Sequence, residues 1–550
     1  MMGRKLSVKI ASQIAHGLAY LHTMGITHAD LKPANVLVFS KEILDPVNVK
    51  ITDYGISRIV DASGNKGRVG TPGFRAPEIG HDLIFDKEAD WFSYGRLLYQ
   101  LFTCVSPSHY FQQDTQVKQI DEDASRGRFS FVRYTLQTSF PLFIALMRTC
   151  WRENPRDRPR DDRILSVLRD VSILALRHVI ELDSFACSSP IVTTTPEDYK
   201  IHTWTGGALN ARRRYQLLSA DHGRPFAKSE LHVGMPVKCV LQVGRYNLIG
   251  TTGREILVFE CPTETNGAAL NEARKLNLKA TVASLYYQQN DFEEVGYVFA
   301  GLENGTTEVF QINSSEEPPE EWFLKSTLQL GDKSMSCNGF HPVRSGKELW
   351  VACGSTLRII NTSMIDLSVS PGVINVPADD NVSIDDSTGK QDIQSITGQQ
   401  NKIWCSLKGS NKVLEYSTQS REKINVMSLQ SNGQSETSDE ITALEVVKDT
   451  LWVGKSTGEI VVVSIADKVV DVLDNDEVSA VGVLSLNRML GQPRGSVFQI
   501  VRAGKDRILA CMHYKDSERR GSDNGFLVVW ESWGLDEFER FDKLQHTGSG

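Results

Sequence analysis

The sequence predicts a multidomain chain: a mainly α lobe over residues 1–180, a linker at 181–198, an all-β propeller of about seven blades over 199–534, and a tail at 535–550. Three observations carry this. The 550 residues exceed the ~250–300 at which a single hydrophobic core stops growing. Near the start, Ile10, Ile14, Leu18 and Leu21 fall at spacings of 4, 4 and 3, one apolar stripe along a helix. Later, one unit recurs: an apolar strand, a turn with glycine, then alternating apolar residues. Its glycines, Gly253, Gly305, Gly354, Gly409, Gly458 and Gly525, are separated by 52, 49, 55, 49 and 67 residues. A period near ~50 made of strand pairs indicates propeller blades.

Taken in order, residues 7–23 form the first helix through that stripe. Val36-Leu37-Val38-Phe39 and Val47-Asn48-Val49-Lys50-Ile51 read as short strands on either side of a polar turn. A loop rich in Gly, Ser and basic residues runs on to Gly73, and Lys87–Phe102, with Trp91, Leu97, Leu98 and Leu101, is a second helix. Around Ser184–Pro196 the helical periodicity is lost, which suits a linker or an entering edge strand. Six strand–turn–strand copies follow, and Lys200–Leu218 with the tail is expected to close the ring. Trp350, Trp404 and Trp452 are expected to pack between blades. The Trp-Asp dipeptide is absent, Trp530-Glu531 coming nearest, and no double glycine recurs, so a divergent WD-type propeller is preferred to other propellers or a stacked sandwich. Leu535, Phe538, Phe541 and Leu544 permit a short amphipathic helix in the tail.

Composition excludes several classes. Residues 1–180 carry 24 Lys+Arg against 19 Asp+Glu, and the remainder 36 against 49, so the second half is too acidic for a nucleic-acid binder. Nine cysteines are scattered singly with no C-x-x-C pair, which reads as reduced thiols, not a disulfide framework or zinc site. No apolar run approaches ~18 residues, so no transmembrane segment is expected, and the N-terminus has no signal-peptide core. A cytoplasmic location is the expectation.

The chemistry sits in Ile26–Val38. Phosphoryl transfer needs a carboxylate to orient the attacking hydroxyl, a cation to offset charge on the moving phosphate, and an oxygen donor for the metal. Asp30, Lys32 and Asn35 supply these at offsets 0, +2 and +5, following His28. The stretch resembles a protein-kinase catalytic loop, with Ala29 in place of its arginine. Asp53-Tyr54-Gly55 lies 23 residues after Asp30, where kinases carry a metal-binding motif, and Ala76-Pro77-Glu78 lies 23 residues after Asp53. The two strands would carry Asn35 and Asp53 to one magnesium site. The kinase resemblance implies further roles: Thr71 bonds to Asp30 and Lys32, Asp90 tethers the catalytic-loop backbone, and Arg158 pairs with Glu78. Lys32 and Thr71 imply serine/threonine specificity, with ATP and Mg²⁺ as cofactors.

Asp53-Tyr54-Gly55, then Ile56-Ser57-Arg58 and Gly70-Thr71-Pro72-Gly73-Phe74-Arg75-Ala76-Pro77-Glu78, resemble the leucine-rich-repeat kinases of the Roco family. In that family a WD-repeat propeller follows the kinase domain, and a C-terminal helix packs back on it. Only 27 residues precede His28, too few for the glycine-rich loop, strand lysine and helix glutamate of a kinase, so the chain is expected to be the C-terminal portion of a larger protein. The alternative is a non-catalytic scaffold or pseudokinase. Expected partners are a protein substrate, other proteins bound by the propeller, and a second copy of the chain. Ala29 cannot grip an activation-loop phosphate, so little activation is expected through Ser57 or Ser63.

Overall fold

The computed structural model describes residues 4–42, 45–53, 58–59, 70–79, 86–104, 106, 141–182, 191–194, 200–205, 212–219, 225–232, 235–260, 272–289, 295–312, 322–344, 346–362, 373–375, 381–383, 391–399, 401–429, 439–465, 480–485, 495–503, 507–515 and 523–546. The chain divides into two compact units. The first comprises Met1–His178, Arg488–Gly491 and Asp536–Gly550; the second comprises Val179–Asn487 and Gln492–Leu535.

The first unit opens with helix α1 (Arg4–Thr23), whose Ile10, Ile14, Leu18 and Leu21 are all buried. Gly25, at φ 72°, ends it in the left-handed conformation that costs glycine no Cβ clash. Strand β1 (Ile26–Thr27) follows, then a 3-10 turn at Pro33–Asn35. Strands β2 (Val36–Val38) and β3 (Val49–Ile51) pair antiparallel, Val36 facing Ile51, and β4 (Arg58–Ile59) pairs with β1. Helix α2 (Glu88–Thr103) is the centre of the unit: Trp91, Tyr94, Leu98 and Phe102 are buried, and the Tyr94 hydroxyl donates to the Ala11 carbonyl at 3.0 Å.

Gly95 lets α2 approach the end of helix α3 (Pro141–Cys150), because a Cβ there would stand 2.7 Å from Trp151 Nε1 and 2.8 Å from Cys150 Cβ. We expect Gly95→Ala to lower stability by about 1–3 kcal/mol through overpacking. Thermal melting checks this, and an unchanged melting temperature would contradict the contact. Helices α4 (Asp161–Arg169) and α5 (Ser172–Ala175) complete the described part of this unit's core through Ile164, Leu168, Ile173 and Leu174.

The second unit is a propeller. Six sheets are each built from four antiparallel strands of one stretch of chain, inside 191–232, 237–277, 282–329, 337–383, 393–428 and 441–485, and the third also takes Val373–Asn375, which pairs parallel with Phe323–Gln329. A closing sheet joins strands Gly495–Ala503, Arg507–Lys515 and Asp523–Glu531 to β5 (Leu176–Leu182). Neighbouring sheets share cores. Trp350 packs with Ile393, Ile403 and Leu414 of the next sheet, and Trp404 with Ile441, Leu444 and Leu451 of the one after. Trp452 is fully buried, its indole N–H donating to Thr450 Oγ1 at 3.1 Å. The first strand is bulged at the same place in sheet after sheet, between Val237 and Cys239, Val282 and Ser284, Cys337 and Gly339, Ile393 and Ser395, and Ile441 and Ala443.

The expected ring closure is corrected. Of the roughly seven blades expected, the one assembled from Lys200–Leu218 and the tail is not formed. Lys200–Thr205 and Arg212–Ser219 lie instead in the first continuous sheet, and the tail is helix α6 (Leu535–His546), with Phe538 and Phe541 buried. Strand β5 closes the last sheet from residues assigned above to the α lobe, and Ile191–Thr194, inside the expected linker, is already a propeller strand. The physical reason is the open backbone edge of Asp523–Glu531, which needs a partner. Within β5, Leu176, His178 and Ile180 are buried at alternate positions, a period of two that the histidine obscures in the sequence. Among the described residues no helix is long and apolar enough to cross a membrane.

Candidate active site

Asp90, buried in the first turn of α2, accepts the backbone N–H of His28 on one oxygen and that of Ala29 on the other, both at 2.8 Å. Ala29 is thereby held at φ 67°, a left-handed conformation that costs a residue with a Cβ about 1–2 kcal/mol. His28 is buried beside it. Its Nδ1 accepts the Asp30 N–H at 3.3 Å, so its ring proton lies on Nε2, which donates to the Thr52 carbonyl at 3.0 Å.

These bonds set the position of Asp30. Thr71 Oγ1 donates to Asp30 Oδ1 at 2.6 Å, Lys32 Nζ donates to Oδ2 at 2.7 Å, and Lys32 Nζ also donates to Thr71 Oγ1 at 2.9 Å. The three groups close a triangle. Partial burial pushes the Asp30 pKa up, but the bonds from Lys32 and Thr71 outweigh it and hold the carboxyl below its ordinary value. Asp30 is therefore an ionised acceptor. Gly70, at φ 86°, makes this approach possible, since a Cβ there would stand 2.7 Å from the Ala29 carbonyl oxygen.

Asn35 is buried, and its Nδ2 donates to the Asp30 carbonyl at 2.9 Å, leaving the amide oxygen as its acceptor. Thr52 N–H donates to the Asn35 carbonyl at 3.0 Å, so the β2–β3 hairpin brings Asp53 beside the 3-10 turn. Asp53 is exposed and has φ 64°. An amide oxygen and a carboxylate are hard donors suited to Mg²⁺, which takes one or two protein ligands and shares its shell with phosphates. Tyr54, Gly55, Ser57 and Ser63 lie outside the described residues.

Glu78 and Arg158 meet in the core. Arg158 Nη1 donates to Glu78 Oε1 at 2.6 Å and Nη2 to Oε2 at 2.9 Å. Its remaining donors go to the carbonyls of Arg152, Glu88 and Glu153 at 2.8, 3.0 and 3.2 Å. All five N–H groups are used.

A model described as "Protein kinase domain" matches residues 2–167, and one described as "LRRK2 beta propeller" matches 175–530, most of the chain. The chain belongs to the leucine-rich-repeat kinases of the Roco family. The mouse leucine-rich repeat serine/threonine-protein kinase 1 is 28% identical over 384 residues, covering 67% of this chain and 18% of that protein. Its Caenorhabditis elegans namesake is 30% identical over 226 residues, covering 37% and 9%. The Arabidopsis thaliana serine/threonine/tyrosine-protein kinase HT1 is 32% identical over 162 residues, covering 29% and 39%. The chain thus spans less than a fifth of the two leucine-rich-repeat relatives.

One network in this Roco chain went unread in its sequence. His22, near the end of α1, bonds Asp90 Oδ2 through Nε2 at 2.9 Å and Asp161 Oδ1 through Nδ1 at 3.2 Å, and Trp91 Nε1 donates to the same Asp161 oxygen at 2.7 Å. His22 thereby steadies the carboxylate that holds the His28–Ala29 backbone. Only its place on the apolar face of α1 could have marked it. Burial alone would lower its pKa, but the two carboxylates raise it to about 9. A pKa raised on folding contributes stability that is complete below ~6.5 and is lost as pH rises through about 9. We expect the first unit's melting temperature to fall between pH 6.5 and 9, and the fall to shrink in His22→Gln; equal slopes in both would contradict the network.

Proposed function

We propose that this chain carries the catalytic loop of a serine/threonine protein kinase that transfers the γ-phosphate of ATP to a protein hydroxyl. The observation that carries the reading is the closed triangle of Asp30, Lys32 and Thr71. Asp30 accepts the hydroxyl hydrogen and orients its oxygen for in-line attack. Lys32, within reach of both the carboxylate and the incoming phosphate, offsets the charge that spreads over the phosphate oxygens. Thr71 keeps both side chains aligned, and with Lys32 supports Ser/Thr specificity. Asn35 and Asp53 would hold Mg²⁺, which when bound neutralises phosphate charge. Asp90, His28 and His22 hold the loop's backbone. The propeller serves as a surface for protein partners, a second copy of the chain among them, and we place the protein in the cytoplasm.

A scaffold without catalysis is the second reading, favoured by the share of the chain given to the propeller. Nucleotide linkage separates the two. On the kinase reading, Mg·ATP at about 100 times its dissociation constant adds ~2.7 kcal/mol and raises the melting temperature. In Asp53→Asn the magnesium-dependent part of that rise should be lost. No rise at millimolar Mg·ATP in the protein expressed from its own gene would favour the scaffold.

A further inference from the structure

The nine cysteines look unrelated in sequence, but the propeller register brings two of them together. Cys337, in strand Cys337–Val343, faces Cys353, in strand Glu348–Cys353, across an antiparallel pair. Both are fully buried, and Cys337 Sγ donates to Cys353 Sγ at 3.4 Å. The other described propeller cysteines face no thiol in register: Cys239 lies opposite Gly250, Cys405 opposite Ile396 and Leu414, and Cys511 opposite Gln499 and Leu527. Neighbouring sheets fill the register position of the pair with Val237 and Thr251, Val282 and Leu302, Ile393 and Leu407, or Ile441 and Lys455. A paired thiol is therefore no requirement of the repeat.

The surroundings make the two thiols unequal. The bond from Cys337, with the Arg358 guanidinium nearby, holds the Cys353 thiol below its ordinary value, although burial and the carboxylates of Asp332 and Asp392 act against it. The same bond and burial push the Cys337 thiol up, although Thr307 and the Leu302 N–H act against them. Cys353 is therefore the nucleophile of the pair, and Cys337 keeps its proton. Packing beside them is close: a Cβ at Gly331 would stand 2.8 Å from Cys353 Sγ, so no bulky adduct fits there. Gly331, Met335 and Ser336 are each partly exposed, which gives a water-sized molecule a short way in.

We propose that Cys337 and Cys353 are a redox modification site, oxidised by hydrogen peroxide to a disulfide within one propeller sheet. Directly opposed residues of antiparallel strands have Cα atoms about 4.5 or 5.5 Å apart, inside the ~4.4–6.8 Å that a disulfide spans. The sulfurs need to draw in from 3.4 Å to about 2.05 Å, which takes no new space. In the first step the Cys353 thiolate attacks one peroxide oxygen. The S–O bond forms, the O–O bond breaks, and the departing hydroxide takes up the proton that Cys353 had released, leaving as water. The Cys337 sulfur then attacks the sulfenic sulfur: the S–S bond forms, the S–O bond breaks, and hydroxide leaves with the Cys337 proton as a second water. The two thiols give up two electrons, and one peroxide accepts them. With Cys337 in contact, the sulfenic acid is resolved before it oxidises further.

The test uses the full chain, reduced, treated with hydrogen peroxide while folded, then unfolded and alkylated. Digestion after Lys and Arg should give Ser334–Arg344 bonded to Glu348–Arg358, lighter than their sum by two hydrogen atoms and separated by dithiothreitol. That readout needs no variant to fold. Cys337→Ser should instead stop at a Cys353 sulfenic acid, trapped by dimedone once the chain is unfolded. Cys353→Ser should be oxidised at Cys337 about 10-fold more slowly or less, and Cys405→Ser, which removes a buried thiol of the next sheet, should give the parent's linked peptide. No linked peptide from the parent, equal dimedone labelling of Cys337→Ser and Cys353→Ser, or a glutathione adduct in place of the link when glutathione is present would each overturn the assignment.

Discussion

Replacing Asp30 with asparagine is expected to lower the rate of phosphoryl transfer by about 10²–10⁴-fold, the range associated with a lost general base. The amide keeps the size of the carboxylate but gives up its charge and one of its two acceptor atoms. Thr71 Oγ1 and Lys32 Nζ, at 2.6 and 2.7 Å, are both donors aimed at those atoms. An amide oxygen can satisfy one of them, and its NH₂ group would face the other donor. Without the carboxylate the loop loses its anionic acceptor for the hydroxyl hydrogen, since Asn35, whose Nδ2 donates to the Asp30 carbonyl, offers only a neutral amide oxygen. Initial rates at saturating Mg·ATP, with melting temperature as a control for folding, check this. Wild-type rates in a folded variant would remove Asp30 from the mechanism.

Arg158→Ala should destabilise the first unit by about 3–5 kcal/mol, because it leaves the Glu78 carboxylate buried without its counter-charge. The guanidinium also satisfies three backbone carbonyls, those of Arg152, Glu88 and Glu153, and lies 5.0 Å from the Phe92 ring centroid. Lysine should not rescue, since one ammonium cannot reproduce a two-bond fork and three further donors. Arg156→Ala, an exposed neighbour in the same segment, is the matched control. Calorimetry should show the first unit's transition shifted down in Arg158→Ala, with the propeller's unchanged. Coincident transitions in both variants and the parent would contradict a buried pair.

Much of the site could be read from the sequence because phosphoryl transfer demands particular residue types at short, fixed separations. The triangle joins Asp30 and Lys32, two residues apart, to a threonine that kinase resemblance singled out. His22 was missed because its role depends on two carboxylates, Asp90 and Asp161, that only folding brings to it. The propeller's glycine period was visible, since each copy needs the same tight turn. Its closure was not, because β5 takes its partner from the far end of the unit, and a seven-residue segment cannot reveal an edge more than 300 residues away. The Cys337–Cys353 pair was hidden for the same reason, the thiols meeting through strand register and not through motif spacing.

Whether Asp30 acts on a serine or threonine hydroxyl is tested most directly by γ-phosphate transfer by the protein expressed from its own gene. With labelled ATP and Mg²⁺, a protein substrate should gain phosphoserine or phosphothreonine and no phosphotyrosine, and the Asp30→Asn protein should transfer almost none. Equal transfer by the parent and Asp30→Asn, or label found on tyrosine, would contradict that role.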